Sequence, residues 1–214
     1  MRAAAGMAAL ALWGLCAGAA VAQTQRVAGE IVAVDGSALT VRPSEGDVKR
    51  MQLAQDARVS VRAKADWTQI KPHDYIATTA VPQADGTLRA KEVRIFAESM
   101  RGSGEGHYPM QTPGDTMTNA TVSRVSSART DTMTNATVAS AATAGGEHRM
   151  TLTYPGGEKT VVVPAGVPVM RQEPGDRSQL VPGAHVIVTA RAAPDGGLLA
   201  ERITVGKDGF VPPL

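Results

Sequence analysis

DWTQIKPHDYIATTAVPQADGTLRAKEVRI, residues 66–95, recurs as DRSQLVPGAHVIVTARAAPDGGLLAERITV, residues 176–205. The two stretches align without a gap at an offset of 110, with 9 of 30 positions identical. The identities fall at turn and core positions, among them Asp66/Asp176, Pro72/Pro182, Asp85/Asp195, Gly86/Gly196, Leu88/Leu198 and Ala90/Ala200. Ile76/Val186, Val93/Ile203 and Ile95/Val205 exchange one apolar side chain for another. A repeat at fixed spacing means one structural unit used twice.

Each copy reads as strand, turn, strand. The Asp at its start, followed by helix-tolerant residues and then x-Pro, predicts one capped helical turn. Tyr75 to Val81 and His185 to Arg191 predict strands, and Asp85-Gly86 or Asp195-Gly196 turns the chain into the next. In that next strand Leu88 and Ala90 share one face, but the following apolar pair is Val93 and Ile95. The phase slips by one residue, and Leu198, Ala200, Ile203 and Val205 repeat the slip. Strand side chains alternate with period two, so the slip predicts a β-bulge near Lys91-Glu92 and near Glu201-Arg202. Bulges allow a small sheet to coil.

Upstream of the first copy, Val27 to Val34, Ala38 to Arg42 and Val48 to Leu53 predict three strands joined at Asp35-Gly36 and Glu45-Gly46-Asp47. In the second unit Pro155-Gly156-Gly157 turns the chain before Thr160 to Val163. Three strands, a helical turn and two strands is the order of an OB-like barrel, with a small β-sandwich as the alternative. The expected fold is all-β: two tandem five-stranded OB-like barrels, at 26–97 and 117–207, joined by a Gly-rich linker at 98–116 and followed by a tail at 208–214. Across the start of the second unit, Asp115 to Val122 recurs as Asp131 to Val138, which reads as a local duplication giving that unit a spare first strand.

Residues 1–22 read as a cleaved secretory signal: a short positive start at Arg2, an apolar run from Ala3 to Ala19, and a small-x-small site at Ala20-Val21-Ala22. The one cysteine, Cys16, lies in that run, and the large Leu15 before it does not suit lipoprotein processing. Without the signal no thiol remains, which excludes a disulfide framework and a Cys-based zinc cluster. No later apolar stretch approaches the ~18 residues of a spanning helix. The expected location is the periplasm or the exterior of a Gram-negative bacterium.

With 22 basic and 20 acidic residues and 3% aromatic content, the chain lacks the basic, stacking surface of a single-strand binder, so no nucleic-acid partner is expected. No G-x-S-x-G elbow is present, and Gly102-Ser103-Gly104-Glu105-Gly106-His107 lacks the last Gly and the βαβ setting of a phosphate loop. No catalytic residue and no cofactor are expected. The four histidines show no helical i, i+3 or i+4 spacing, and the methionines show no M-x-x-M cluster. Glu105, His107 and His148 are the candidate metal ligands, since Glu105 and His107 share a face if their segment is extended. The sequons Asn119-Ala120-Thr121 and Asn135-Ala136-Thr137 matter only in a suitable host.

The stretches Gly29 to Gly36, Leu39-Thr40-Val41, Asp85-Gly86-Thr87-Leu88 and Val93-Arg94-Ile95 resemble an exported bacterial domain-of-unknown-function family (number fifty-six sixty-six) of small OB-like β domains, often in tandem. Met100 to His107, Pro113 to Val122 and Val205 to Pro213 look like a proteobacterial subgroup, some of whose members are labelled metal ABC transporter permease. A permease needs several membrane spans, which this chain lacks. The resemblance implies a fold and no catalytic residues. The expected function is a non-enzymatic binding or interaction module of the cell envelope, whose partner is an envelope protein or small ligand. The alternatives are a periplasmic metal-handling accessory protein and an unrecognised enzyme.

Overall fold

The computed structural model describes residues 24–127, 146–193 and 195–213. The signal at 1–22 with Cys16, and the second copy of the short repeat at 131–138 with Asn135, lie outside the described residues. Twelve strands follow in order: β1 (Thr24–Asp35), β2 (Ala38–Pro43), β3 (Lys49–Ala65), β4 (Tyr75–Pro82), β5 (Leu88–Phe96), β6 (Gly106–Pro109), β7 (Thr116–Ser127), β8 (His148–Tyr154), β9 (Gly157–Val163), β10 (Val169–Gly175), β11 (His185–Ala192) and β12 (Leu198–Gly206). Among the described residues the only helices are short 3-10 turns.

Local chemistry accounts for the punctuation. Gly36, at φ 56°, makes the tight turn from β1 to β2. Asp66 caps the turn Trp67–Gln69 by accepting from the Thr68 backbone N–H at 2.9 Å. Asp176 does the same for Arg177–Gln179, where Gln179 reaches back to complete a capping box. Both bulges are present. Thr79 faces Glu92 while Ala80 faces Ala90, leaving Lys91 over; Thr189 faces Arg202 while Ala190 faces Ala200, leaving Glu201 over.

Two five-stranded barrels close. In barrel one β1 pairs β2, β2 pairs β3, β3 runs parallel to β12, β12 pairs β11, and β11 returns to β1. In barrel two β7, β8 and β9 are followed by β5, which lies parallel to β9, and by β4, which returns to β7. This is the OB-like connectivity, and the closure excludes the open sandwich. Ile31, Leu39, Val41 and Ile203 fill barrel one; Ile76, Val93, Leu152 and Val161 fill barrel two. Each such aliphatic side chain contributes about 1.5–3 kcal/mol when fully buried. Valine, isoleucine, leucine and alanine carry most of both cores, in keeping with the low aromatic content.

The domain boundaries differ from expectation. Neither 26–97 nor 117–207 closes on itself. Barrel one takes β1–β3 from the first unit and β11–β12 from the second; barrel two takes β7–β9 from the second and β4–β5 from the first. The reason lies in β3. Its 17 residues span about 55 Å at ~3.3 Å per residue, more than a barrel wall needs. Its early part closes barrel one, while Val59–Ala65 runs on to pair with β10. The helical turn at its end therefore delivers β4 to the neighbouring barrel. In the second unit Pro164, Gly166 (φ 82°) and Pro168 break the equivalent strand into β9 and β10.

Barrel two is consequently continuous in sequence, from β4 to β9, and inserted into barrel one. The stretch 98–116 is not the joint between barrels. It connects β5 to β7 within barrel two and lies on that barrel's outer face, where Met100 packs with Tyr75, Ala77 and Phe96. The barrels instead share the antiparallel pair β3–β10, which also adds β10 alongside β5. Arg62 and Gln172 are partners there, and 62 and 172 differ by the repeat offset of 110. An approximate two-fold axis therefore passes between them, and Arg62 Nε donates to Gln172 Oε1 across it at 3.0 Å.

Candidate binding groove between the barrels

The three candidate metal ligands do not gather at one place. His107, on β6, faces Thr118 of β7, with Nδ1 and Oγ1 at 2.9 Å, and its ring lies 6.2 Å from that of Tyr154. Tyr154 ends β8, whereas His148 begins it, so about 20 Å of strand separates the two sites. His148 stacks on Trp67 with ring centroids 4.4 Å apart. Glu105 is exposed just before β6, in the field of Arg101 and Tyr75. Among the described residues no three His, Cys, Asp or Glu side chains gather as a metal site. Asn119 is buried, and its side-chain amide donates to the Gly104 carbonyl at 2.8 Å, which leaves that sequon structural.

His107 has a consequence for stability. Burial, then the nearby Lys159, pushes its pKa below the ordinary 6.5. The unfolded chain therefore takes the proton first as pH falls. Stability should decline as pH drops below about 6.5, until the folded-state pKa is passed. Thermal unfolding between pH 8 and 5 tests this: His107→Gln should flatten the profile, and an unchanged slope would refute the assignment.

A groove of about 1030 Å³ runs between the barrels. Its floor is the outer face of barrel one. Register across four strands builds it: Arg26 on β1 faces Thr189 on β11, Thr189 faces Arg202 on β12, and Arg202 faces Arg58 on β3. The next row on this face includes Ile187, Thr204 and Ser60, whose hydroxyl lies 3.2 Å from that of Thr204. Arg62, two residues further along β3, closes the row of cations. The opposite wall comes from barrel two's covering segment, with Met100, Tyr108 and Met110, and from Met117 of β7.

The charge is one-sided. Arg26, Arg58, Arg62 and Arg202 line the groove, and no Asp or Glu does so among the described residues. Arg58 and Arg202 stand directly opposite each other, an arrangement that costs stability between like charges. Arg62 is only 6% exposed. Burial, then Arg94, push its pKa down to about 10, partly offset by Glu92, and Arg26 lowers it further. Its Nη1 has the Pro213 carbonyl at 3.4 Å, a long contact for a buried guanidinium. Arg94, which does not line the groove, pairs with Glu92 at 3.0 Å, and its Nε is buried with no partner among the described residues. An anion entering the groove would meet the guanidiniums of Arg26, Arg58, Arg62 and Arg202. A second cavity, of about 600 Å³, opens at one end of barrel one, but Lys207, Asp208 and Glu173 give it mixed charge.

Sequence reasoning missed this site because its cations come from β1, β3 and β12, which lie far apart in the chain. The near-balance of 22 basic and 20 acidic residues hides a local excess that only pairing register reveals. The signal that was available is the exchange of Glu92 for Arg202 and of Arg94 for Thr204 between the repeats. Among the described residues, no helix is long and apolar enough to cross a membrane. Comparison with protein-family models, with curated proteins and with solved structures gives no match for this chain.

Proposed function

We propose that this protein is a non-enzymatic binding module of the cell envelope that holds an anionic ligand between its two barrels. The observation that carries the reading is the set of four arginines lining the groove with no carboxylate beside them among the described residues. Guanidiniums are donors only and stay protonated, so they bind carboxylate or phosphate well and serve poorly as general bases. Thioether side chains on the facing wall adapt to varied apolar surfaces without supplying a nucleophile. Both properties suit holding a ligand rather than remaking its bonds. The groove's volume is also of the order found for ligand sites. The envelope location rests on the signal pattern at 1–22, and the resemblance to exported tandem β domains accords with it.

The test uses labelled poly-L-glutamate as an anion probe, followed by fluorescence anisotropy. Binding should be measurable at 50 mM salt and fall steeply by 500 mM, because exposed charges are screened within ~10 Å at 0.1 M. The double variant Arg58→Glu, Arg202→Glu should weaken binding at least roughly tenfold, about 1.4 kcal/mol. Arg191→Glu, whose native partner is Glu201 and which does not line the groove, should bind as the parent does. Equal binding by the double variant would refute the groove as the site.

A further inference from the structure

We infer that the groove takes an extended acidic peptide segment of a partner protein, with carboxylates alternating with aliphatic side chains. This rests on the reading of the groove as an anion site and names its ligand. The first support is internal to the molecule. At the repeat offset, Tyr75 and Ala77 of β4 correspond to His185 and Ile187 of β11. On barrel two that outer face is covered by polypeptide: Met100 and Met117 pack on Tyr75, Ala77 and Phe96, the Tyr75 hydroxyl donates to the Ser103 carbonyl at 3.1 Å, and Arg101 lies 5.7 Å from the Tyr75 ring centre. The matching face of barrel one lines the groove instead, through Thr189 and the largely buried Ile187. After β12 the chain turns toward Arg62, whose Nη1 donates to the Pro213 carbonyl, and residues 207–213 are absent from the groove lining.

The second support is spacing. Arg58 and Arg62 lie four residues apart on β3, about 13 Å, with their side chains on one face. A peptide extended along β3 places side chains i and i+4 at the same separation, so two carboxylates of such a peptide meet two guanidiniums. Its alternate side chains then point to the opposite wall, where Tyr108 is 41% exposed beside Met110 and Met117. Phosphate chains offer charge at this spacing but nothing for the methionine and tyrosine wall, whereas a peptide satisfies both sides. Tyrosine and arginine, with tryptophan, are the side chains enriched at the hot spots of protein interfaces.

Competition against the bound poly-L-glutamate separates the possibilities, using the chain from residue 24 onward and three competitors: Ac-Glu-Leu-Glu-Leu-Glu-NH2, the block isomer Ac-Glu-Glu-Glu-Leu-Leu-NH2, and sodium polyphosphate of matched charge. The alternating peptide should compete at least tenfold better than the block isomer and better than polyphosphate. Tyr108→Ser with Met110→Ser should bring the two peptides to parity while leaving displacement by polyphosphate unchanged. Equal potency of the two peptides, or stronger displacement by polyphosphate, overturns the peptide inference and leaves the anion groove standing. Failure of poly-L-glutamate itself to bind overturns both.

Discussion

Residues 66–175, produced without the rest of the chain, should fold as a monomer, whereas residues 24–97 should not. The first fragment holds β4, β5, β7, β8 and β9, which together close barrel two, and β10, which lies against β5 and adds Val169 to its core. The second holds three strands of barrel one and two of barrel two, so neither core can form. Its Leu39 and Val41 would lose Val188 and Ile203, and its Ile76 and Val93 would lose Leu152 and Val161. Losing several aliphatic contacts at ~1.5–3 kcal/mol each exceeds the ~5–15 kcal/mol stability of a whole domain. Trp67, the only tryptophan after residue 22, stacks on His148 and reports on barrel two. The longer fragment should show dispersed amide resonances and a cooperative Trp67 transition. Any structure in 24–97 should depend on concentration, because two copies would have to exchange strands as the two units do here. A folded monomer of 24–97 would show that the observed pairing is not the one that stabilises the chain.

Gly29→Val should remove most of the stability of barrel one while leaving barrel two folded. Gly29 sits on β1 opposite Pro43 of β2, where the strands approach so closely that a Cβ would overlap the backbone carbonyl of Arg42. A backbone carbonyl in a paired strand cannot swing aside as a side chain can. The two strands must separate, and Ile31, two residues on, is drawn from the core. Overpacking and loss of strand pairing together should cost about 3 kcal/mol or more. Gly36→Ala is the useful contrast. Nothing lies within 4 Å of its added methyl, so only the positive φ is penalised, at roughly 1–2 kcal/mol. Hydrogen exchange read by residue decides the matter: in Gly29→Val, protection should fall at Leu39, Val188 and Ile203 and persist at Ile76 and Val161. Uniform protection like the parent's would refute the account.

The apolar alternation of Leu88 to Ile95 and its repeat at Leu198 to Val205 made the strands and their bulges legible, because a period-two pattern is a local property. The capped turns at Asp66 and Asp176 were legible for the same reason. The far end of β3 was not. Residues 56–65 do alternate polar and apolar, with Ala57, Val59, Val61, Ala63 and Ala65 on one face, but a local pattern does not say that the strand runs past one barrel to the next: Ala57 and Val59 pack on barrel one and Ala65 on barrel two, while Arg62 looks into the groove. The stretch 98–116 read as a joint from its glycines and serine. Glycine content reports an irregular path, not what that path connects. Glu105 and His107 were grouped by their spacing, but β6 begins at Gly106, after Glu105, and turns His107 toward Thr118.

By itself the sequence determined an all-β chain of two like units, each able to supply five strands and a capped turn, since side-chain periodicity and turn chemistry are set by near neighbours. It could not determine which unit's strands would close which barrel. Both units bury the same kinds of aliphatic side chain, so either pairing satisfies the pattern, and the choice falls to the length and reach of β3. That choice sets the β3–β10 seam, and the seam places one barrel's outer face against the other's covering segment. The arginine groove exists only because of it: strands distant in sequence were brought into register, and their charges, balanced over the whole chain, were concentrated in one place.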